Sequence, residues 1–414
     1  TSTEDGIIGK DLCGVVAGDI NINAGSDGIK STYDTDTTKG NVIIEGGNIT
    51  IKASNDGIQA ENILVINDGT INIKTNNGAA DTTQTHTDNM YMGRGGFGFN
   101  NNKTTTTTDD TVESRKGIKA GNMLIINDGD ITIDSDDDSV HCNSEIYIYG
   151  GVINAVTGDD GVHADDLLTV NGGTINITQC YEGIEADDIV INDGDISVVS
   201  SDDGINSSDG SITINGGNLL INASGDGLDA NGSIIINGGY IVVLGPTSDG
   251  DTAIDYDDSC TINGGTVMAF GSSGMLEIPK GASNGACIVT AFTSVSGGSK
   301  YTLSDSNGNE ILSYTPSKAY AVAIVYSDKI TTGNTYDITA GSTTLSIEVT
   351  SDVTSNVSSG LGKAGGMNMP GNGGSGMPNN GSSDNGMNGN SNGSMPDMSG
   401  NGAPDMNGNS SGDM

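Results

Sequence analysis

Acidic residues recur at short corners of this sequence, often in pairs, and carboxylate oxygens are the ligands that hard divalent cations prefer. The candidate metal ligands are Asp137, Asp138, Asp159, Asp160, Glu182, Glu185, Asp202, Asp203 and Asp226. Closely stacked carboxylates repel one another, and a cation between them relieves that repulsion. Because Ca²⁺ accepts about six to eight oxygen ligands in flexible geometry, we expect Ca²⁺ as the cofactor. The single acids Asp27 and Asp56 are typical of solvated turns, since aspartate commonly precedes glycine there.

A second set of polar side chains lies on or beside the strand that follows each acidic corner. The candidates for contact with a ligand are Lys30, Lys119, His141, His163, Tyr181, Asn206 and Asp229. The two histidines are consistent with a transition-metal site or with a hydrogen-bonding pair for a ligand. Zinc in proteins usually has closed N/S ligation, and no cysteine shares this series of positions, which favours the second interpretation.

These residues recur with a period of about 22 residues. Each repeat carries three short segments of alternating polarity, as in residues 173–177, separated by Asn-Gly, Asp-Gly or Gly-Gly corners. Alternation with period two predicts a strand with one buried face, and the corners tolerate positive φ. Three strands per repeat predict an all-β protein: a three-sided parallel β-helix of about ten coils, right-handed because parallel crossovers are. Equivalent residues of adjacent coils then form columns, about 4.8 Å apart.

The repeat also predicts where the regions of the chain begin and end. Residues 1–280 form the β-helix, with a loop excursion at 80–114 that is rich in Thr, Asn and Gly. Residues 281–350 form a small antiparallel β module that caps the open end of the helix. Residues 351–414 are a disordered low-complexity tail of Gly, Asn, Ser and Met, which cannot fold alone.

One outward column of the predicted helix is apolar. It consists of Ile43, Val65, Ile125, Tyr147, Thr169, Val190, Thr213, Ile235 and Thr261. Such a strip reflects either strand propensity or a surface that is covered by another part of the chain, a neighbour or a flat ligand.

Charge and cysteine content exclude several classes of partner. The net charge is −39, from 15 Lys+Arg against 54 Asp+Glu, and such a chain repels nucleic acid and anionic lipid headgroups. No apolar run approaches the roughly 18 residues needed to span a bilayer, so we expect no membrane insertion. The five cysteines lack CxxC spacing and predict no disulfide framework; Cys142 and Cys260 fall on inward positions and predict buried thiols.

The repeats resemble those of a bacterial family of extracellular carbohydrate-binding β-helix proteins, common in clostridia and similar in shape to pectate and other polysaccharide lyases. The segments that carry the resemblance are Tyr181-Glu182-Gly183-Ile184-Glu185-Ala186, Asp202-Asp203-Gly204-Ile205-Asn206, Gly245-Pro246-Thr247-Ser248 and Gly271-Ser272-Ser273-Gly274-Met275. The similarity covers about residues 5–350. It implies a secreted or cell-surface protein that binds plant cell-wall polysaccharides, including acidic pectic sugars, with Ca²⁺ bound along the helix.

Three functions follow from these observations. The first is calcium-dependent, non-catalytic binding of uronate-rich polysaccharides such as polygalacturonate at the cell surface. Cellulose is harder to explain because the chain has no Trp for a flat aromatic platform. The second is pectate-lyase-type β-elimination, with Lys119 as the base. The third is an extracellular fibre built by end-to-end association of β-helices.

Overall fold

The computed structural model describes residues 1–80 and 114–357. All of them belong to one compact unit that runs from Thr1 to Gly365. Most of the predicted loop excursion at 80–114 and of the predicted tail at 351–414 lies outside the described residues. The start of the predicted tail is ordered, since Val353–Ser355 forms a strand that pairs with Ala286–Val295. Within the described ranges the secondary structure is strand, apart from one 3₁₀ turn at Gly78–Ala80.

Three parallel sheets form the sides of a β-helix, and each strand pairs with its counterpart one coil away. Sheet A has 10 strands: Ile7–Gly9, Ile29–Ser31, Ile58–Ala60, Ile118–Ala120, Val140–Cys142, Val162–Ala164, Ile184–Ala186, Ile205–Ser207, Leu228–Ala230 and Ile254–Tyr256. Sheet B has 11: Leu12–Val15, Asn41–Ile44, Ile63–Ile66, Met123–Ile126, Glu145–Ile148, Leu167–Val170, Asp188–Ile191, Ile212–Ile214, Ser233–Ile236, Ser259–Ile262 and Gly281–Ala282. The predicted parallel β-helix is confirmed, with about eleven turns in place of ten. Its right-handedness remains a prediction.

Sheet C continues past the helix and becomes antiparallel. Its parallel strands are Asp19–Ala24, Asn48–Ala53, Thr70–Thr75, Asp130–Ser135, Val152–Thr157, Thr174–Cys180, Asp195–Ser200, Asn218–Asn222, Tyr240–Leu244 and Thr266–Gly271. Tyr320–Ser327 pairs antiparallel with the last of these, Ala286–Val295 pairs antiparallel with Tyr320–Ser327, and Val353–Ser355 adds a final strand. The sheet edge at this end is therefore covered by strands of the same chain.

A separate four-stranded antiparallel sheet accounts for the rest of the described C-terminal segment. Its strands, in order across the sheet, are Glu310–Tyr314, Tyr301–Asp305, Thr335–Ala340 and Thr343–Glu348. Tyr301 packs edge-on against Phe270 of the last coil, with ring centroids 5.5 Å apart. The predicted antiparallel module is thus present and packs against the end of the helix.

The interior of the helix is filled by stacked apolar side chains. In Asp130–Ser135, for example, Ile131 and Ile133 point inward and are fully buried, while their neighbours alternate outward. Burial of each such side chain contributes roughly 1.5–3 kcal/mol. All five cysteines are buried free thiols, and Cys142 and Cys260 lie in the inward ladders as predicted.

Backbone register confirms the predicted outward columns. In sheet B the apolar column runs unbroken from Ile43 to Thr261. None of the helices in the described ranges is long and apolar enough to cross a membrane.

Candidate functional site

Two columns of side chains run side by side along one edge of sheet A. The corner column consists of the residues that immediately precede each sheet A corner glycine or its equivalent: Asp5, Asp27, Asp56, Lys116, Asp138, Asp160, Glu182, Asp203 and Asp226. The outer column consists of the central residue of each sheet A strand after the first, whose centre is Ile8: Lys30, Gln59, Lys119, His141, His163, Glu185, Asn206, Asp229 and Asp255. The predicted alignment of the outer column is confirmed residue by residue.

Carboxylates of the corner column bind the backbone of the next coil. Asp138 Oδ1 accepts a hydrogen bond from the Asp160 N–H at 3.1 Å, and Asp160 Oδ1 accepts one from the Glu182 N–H at 3.2 Å. The same bond recurs at Asp5, Asp27, Asp56, Asp203 and Asp226. One oxygen of each aspartate therefore joins adjacent coils, which gives the corner acids a structural role whether or not a cation binds.

The second oxygen of several corner acids faces the outer column. Asp27 Oδ2 lies 2.7 Å from Lys30 Nζ, and Asp138 Oδ2 lies 2.8 Å from His141 Nδ1. The spacing of three residues between corner and outer position creates this contact because both face the same side of the corner. The partner of the carboxylate then depends on which residue the outer column supplies, and that residue changes along the helix.

The N-terminal end of the outer column is basic and forms a polar pocket. Lys30, Gln59 and Lys119 lie in consecutive coils and line a cavity of about 210 Å³ together with Ser114 and the corner acids. Lys119 Nζ lies 3.3 Å from Ser114 Oγ and 4.0 Å from Asp56 Oδ2. The predicted ligand-binding lysines are thus brought together, one coil on either side of Gln59.

Lys116 is a corner residue that neutralises two of the predicted metal ligands. Its Nζ lies 2.8 Å from Asp137 Oδ1 and 2.5 Å from Asp138 Oδ2. Burial opposes the ammonium form, but attraction to Asp138 and Asp137 outweighs it and raises the pKa of Lys116. Burial also opposes ionisation of Asp138, yet Lys116 and His141 hold its pKa well below the usual range. Asp137 and Asp138 therefore already have a cation.

His163 lies at the middle of the outer column, surrounded by carboxylates. Its Nδ1 is 3.0 Å from Asp160 Oδ2 and 3.1 Å from Glu185 Oε2. Burial favours the neutral imidazole, but the hydrogen bond to Asp160 and the charges of Asp138 and Glu185 raise the pKa of His163 to about 10. Burial raises the pKa of Glu185 to about 7, against the opposing charge of His163.

The C-terminal end of the two columns is acidic. Burial, followed by repulsion from Asp229 and Asp202, raises the pKa of Asp203 to about 8. Burial also raises the pKa of Asp226 to about 9, with further repulsion from Asp203 and Asp229. Over residues 1–80 and 114–357, no basic side chain forms an ion pair with Asp203 or Asp226. Among the corner acids of these two ranges, ion pairs with basic side chains therefore extend no further than Asp160, the partner of His163.

Two other predicted ligands, Glu182 and Asp159, occupy the stretch between the basic and acidic ends. Burial and repulsion from Glu185 raise the pKa of Glu182 to about 9, while Asn206 Nδ2 donates a hydrogen bond to its Oε2 at 2.9 Å. Burial and repulsion from Asp160 raise the pKa of Asp159 to about 8. Tyr181 lies one residue before the corner residue Glu182, between Asp159 and Asp202 of the adjacent coils. The Tyr181 N–H donates to the Asp159 carbonyl at 2.8 Å, and the Asp202 N–H donates to the Tyr181 carbonyl at 3.0 Å.

The oxygen geometry at the acidic end fits a hard cation. One carboxylate oxygen from each of Asp203, Asp226 and Asp229 lies within 4.8 Å of the others. Asp203 and Asp226 each use Oδ1 for the backbone of the next coil, so Oδ2 is the atom that faces a ligand. Because Ca²⁺ takes about six to eight oxygens, three protein oxygens leave positions for water or for oxygens of a bound molecule.

The sequence predicts the densest acidic cluster between residues 137 and 203. In its first part, oxygens of Asp137, Asp138 and Asp159 lie within 4.8 Å of one another, but Lys116 and the two histidines pair with acids there. A second oxygen-only group, Asp203, Asp226 and Asp229, begins at the end of that cluster and extends beyond it. The position of Lys116, one residue before a corner glycine, was the available signal. Ser114 and Asn143, which bond Lys119 and His141, carry no motif and were missed.

Comparison with known proteins gives one family. A family model described as "carbohydrate-binding domain-containing protein" matches residues 1–161 and again residues 156–395. Together the two matches span most of the 414 residues. No curated protein and no solved structure matches the chain.

Proposed function

This chain belongs to the family of carbohydrate-binding domain-containing proteins, and on that premise we propose that it binds uronate-rich cell-wall polysaccharides without cleaving them. The observation that carries the proposal is the graded charge of the outer column, from Lys30 and Lys119 at one end to Asp229 and Asp255 at the other. The polymer would lie along this column, with polar side chains offered about every 4.8 Å.

The basic end supports direct contact with an acidic sugar. Lys30 and Lys119 each carry three N–H donors, of which the Asp27 and Ser114 contacts use one apiece. A uronate carboxylate in the pocket would accept hydrogen bonds from both ammonium groups, and Gln59 and Asn55 line the same cavity. Charge-assisted hydrogen bonds of this kind are roughly twice as strong as neutral ones.

The acidic end supports the same ligand only through a cation. Asp203, Asp226 and Asp229 would hold Ca²⁺, which when bound would neutralise their charge and offer its remaining positions to sugar oxygens. Without the ion, these three carboxylates offer an anionic polymer no positive charge. We therefore propose that Ca²⁺ strengthens binding, and that the protein acts outside the cell, where such polymers occur.

The test measures retention on polygalacturonate with Ca²⁺ and then with a chelator. Wild-type protein is expected to bind in Ca²⁺ and to lose affinity about tenfold or more in chelator, which corresponds to about 1.4 kcal/mol. Asp203→Asn with Asp226→Asn removes two charges but keeps an Oδ1 acceptor for each backbone N–H, so this variant should behave in Ca²⁺ as wild type does in chelator.

The matched control is Asp193→Asn with Asp195→Asn, which removes two charges at a different corner of a neighbouring coil and should bind as wild type does. Negligible retention of the wild type under both conditions would contradict the proposal. Equal, strong retention under both conditions would support sugar binding but contradict a role for Ca²⁺ in it.

The lyase alternative depends on Lys119. Asp137 and Asp138, which lie one coil from Lys119, bind Lys116, whereas Lys119 has Ser114 and Asp56 as its neighbours. Oxygens of Asp137, Asp138 and Asp159 lie within 4.8 Å of one another, but a metal there would have to compete with the ammonium of Lys116. Incubation with polygalacturonate and Ca²⁺ should yield no ultraviolet-absorbing unsaturated product; a product that Lys119→Met abolishes would establish the lyase.

A further inference from the structure

Two imidazole rings lie in consecutive coils at the middle of the outer column. The centroids of His141 and His163 are 4.9 Å apart, with a tilt of 52° between the rings. His141 is only 9% exposed, and Asp138 and Asp160 beneath the two rings are buried. His163 is more accessible, so this buried group has one open side.

The ligand-type atoms around these rings converge. One atom from each of Asp138, His141 and His163 lies within 4.8 Å of the others, and the same holds for Asp160, His163 and Glu185. His163 belongs to both sets. Five side chains from three adjacent coils therefore present two nitrogens and three carboxylate groups to one region.

The separations of these atoms fit the coordination sphere of a small ion as well as a hydrogen-bond network. His141 Nδ1 lies 2.8 Å from Asp138 Oδ2, and His163 Nδ1 lies 3.0 Å from Asp160 Oδ2 and 3.1 Å from Glu185 Oε2. With metal–ligand distances of about 2.1 Å, two atoms this far apart subtend roughly 90° at the metal, an angle that occurs between neighbouring ligands of five- and six-coordinate ions.

The Nε2 atoms of His141 and His163 give a second indication that these rings could bind a metal. His141 Nε2 lies 2.9 Å from Asn143 Oδ1, and His163 Nε2 lies 3.4 Å from Asp165 Oδ1. Both rings thus turn Nδ1 toward the carboxylates and Nε2 toward an oxygen acceptor. Histidines that bind metals almost always donate their other ring N–H to a carboxylate or carbonyl oxygen, which fixes the ring and its tautomer.

We propose that His141, Asp160, His163 and Glu185 form a binding site for a divalent first-row transition metal of the Zn²⁺ or Ni²⁺ class. Asp138 contributes a further carboxylate, whose Oδ2 is shared with the ammonium of Lys116 at 2.5 Å. Imidazole ligands suit these ions, whereas Ca²⁺ and Mg²⁺ prefer oxygen alone. The site differs in donor type from the oxygen-only group at Asp203, Asp226 and Asp229.

The sequence signal is an acid-x-x-ligand segment repeated in register. It reads Asp138-Ser139-Val140-His141, then Asp160-Gly161-Val162-His163, then Glu182-Gly183-Ile184-Glu185. In each segment the first residue is a corner acid and the last belongs to the outer column. The repeat therefore delivers two imidazoles and a glutamate to neighbouring positions at the spacing of one coil.

The experiment uses the full chain without a polyhistidine tag, stripped by a chelator and dialysed against Zn²⁺ or Cu²⁺. Wild type is expected to retain one equivalent of Zn²⁺ in the presence of millimolar Ca²⁺, and its Cu²⁺ form should show nitrogen hyperfine coupling in electron paramagnetic resonance. His141→Asn and His163→Asn keep a hydrogen-bond donor near the Nδ1 position, and each should weaken metal retention at least tenfold.

The sequence offers a matched control, because it has three histidines and the remaining one is His86. His86→Asn should retain metal and nitrogen coupling as wild type does. Absence of Zn²⁺ uptake by the wild type, absence of nitrogen coupling, or unchanged uptake in the His141→Asn/His163→Asn double variant would each overturn the proposal. Circular dichroism would check that the variants are folded. If they are not, Zn²⁺ uptake and the electron paramagnetic resonance spectrum of the wild-type protein still test the proposal.

Metal uptake is measured here without any polysaccharide. Loss of sugar binding would leave this result unchanged, and a failed Zn²⁺ experiment would leave the Ca²⁺ test at Asp203 and Asp226 intact. The two proposals therefore stand or fall separately.

Discussion

Several corner aspartates divide their two oxygens between two partners. Oδ1 accepts a backbone N–H from the next coil, and Oδ2 faces the outer column, as at Asp138 and Asp160. A hydrogen bond between an ionised carboxylate and a backbone N–H contributes about 1.5–3 kcal/mol. The acids of this column therefore stabilise the helix and shape its ligand surface at the same time.

Lys116 provides the clearest test of a single residue. Lys116→Met leaves Asp137 and the buried Asp138 without their ammonium partner. Removing one member of a buried pair costs about 3–5 kcal/mol because the other charge stays buried. We expect a large drop in the urea concentration at the midpoint of unfolding, as monitored by circular dichroism.

The control for that substitution is Lys74→Met, which breaks the more exposed ion pair with Asp134. Exposed pairs contribute about 0–1 kcal/mol, so the midpoint should change little. Equal effects of the two substitutions would show that burial does not govern the strength of the Lys116 contact.

At the scale of the element, the corner of sheet A is a close approach between coils. A Cβ at Gly117 or Gly161 would lie 2.5 Å from a carbonyl oxygen of the next coil and would also meet an isoleucine of sheet C, Ile133 or Ile177. Two coils depart from this pattern, with Ala253 in place of the glycine in the last one. In the other, Ser139 replaces the glycine, and the register places Ala155 between Ile133 and Ile177 in the facing ladder. The smaller residue makes room for the serine.

That pairing predicts coupled mutations. Ala155→Ile alone should overpack against Ser139 and destabilise the protein by about 1–3 kcal/mol. Ser139→Gly with Ala155→Ile restores the combination found in neighbouring coils and should recover most of that loss. Stability of the two single variants and the double variant, measured by thermal unfolding, gives the interaction free energy; additive effects would contradict the pairing.

The strands were predictable because a fixed period repeats one local pattern in every coil. The outer column from Lys30 to Asp255 follows from counting alone. The counter-ions of the acids were not predictable, since the contact of Lys116 with Asp137 and Asp138 depends on how a long side chain turns across a corner. The pairing of Tyr320–Ser327 with the last coil also lies outside the repeat, so the repeat could not predict it.

At the scale of the described unit, stability should fall as pH rises when metal is absent. Asp203 and Asp226 have pKa values of about 8 and about 9 in the folded protein, against about 3.9 in an unfolded chain. The folded state therefore binds more protons across this window, and the stability gained below it is lost as pH rises through it. His163, with a pKa of about 10, acts in the same direction.

Thermal unfolding in chelator, scanned between about pH 5 and about pH 8.5, measures this effect. We expect the midpoint to fall by several degrees, Ca²⁺ to reduce the fall, and Asp203→Asn with Asp226→Asn to flatten the profile. A midpoint that rises over the same range would contradict the assignment of raised pKa values.

The bond from one corner carboxylate to the next coil has an evolutionary consequence. At a corner aspartate such as Asp160, the residue donates its backbone N–H to the carboxylate of the coil before it and accepts the N–H of the next coil with its own carboxylate. A gene duplication that inserted one repeat would therefore arrive with both halves of the joint, and it would lengthen the binding face by one position without altering its neighbours. The length of the face is set by repeat number, which selection can change one coil at a time.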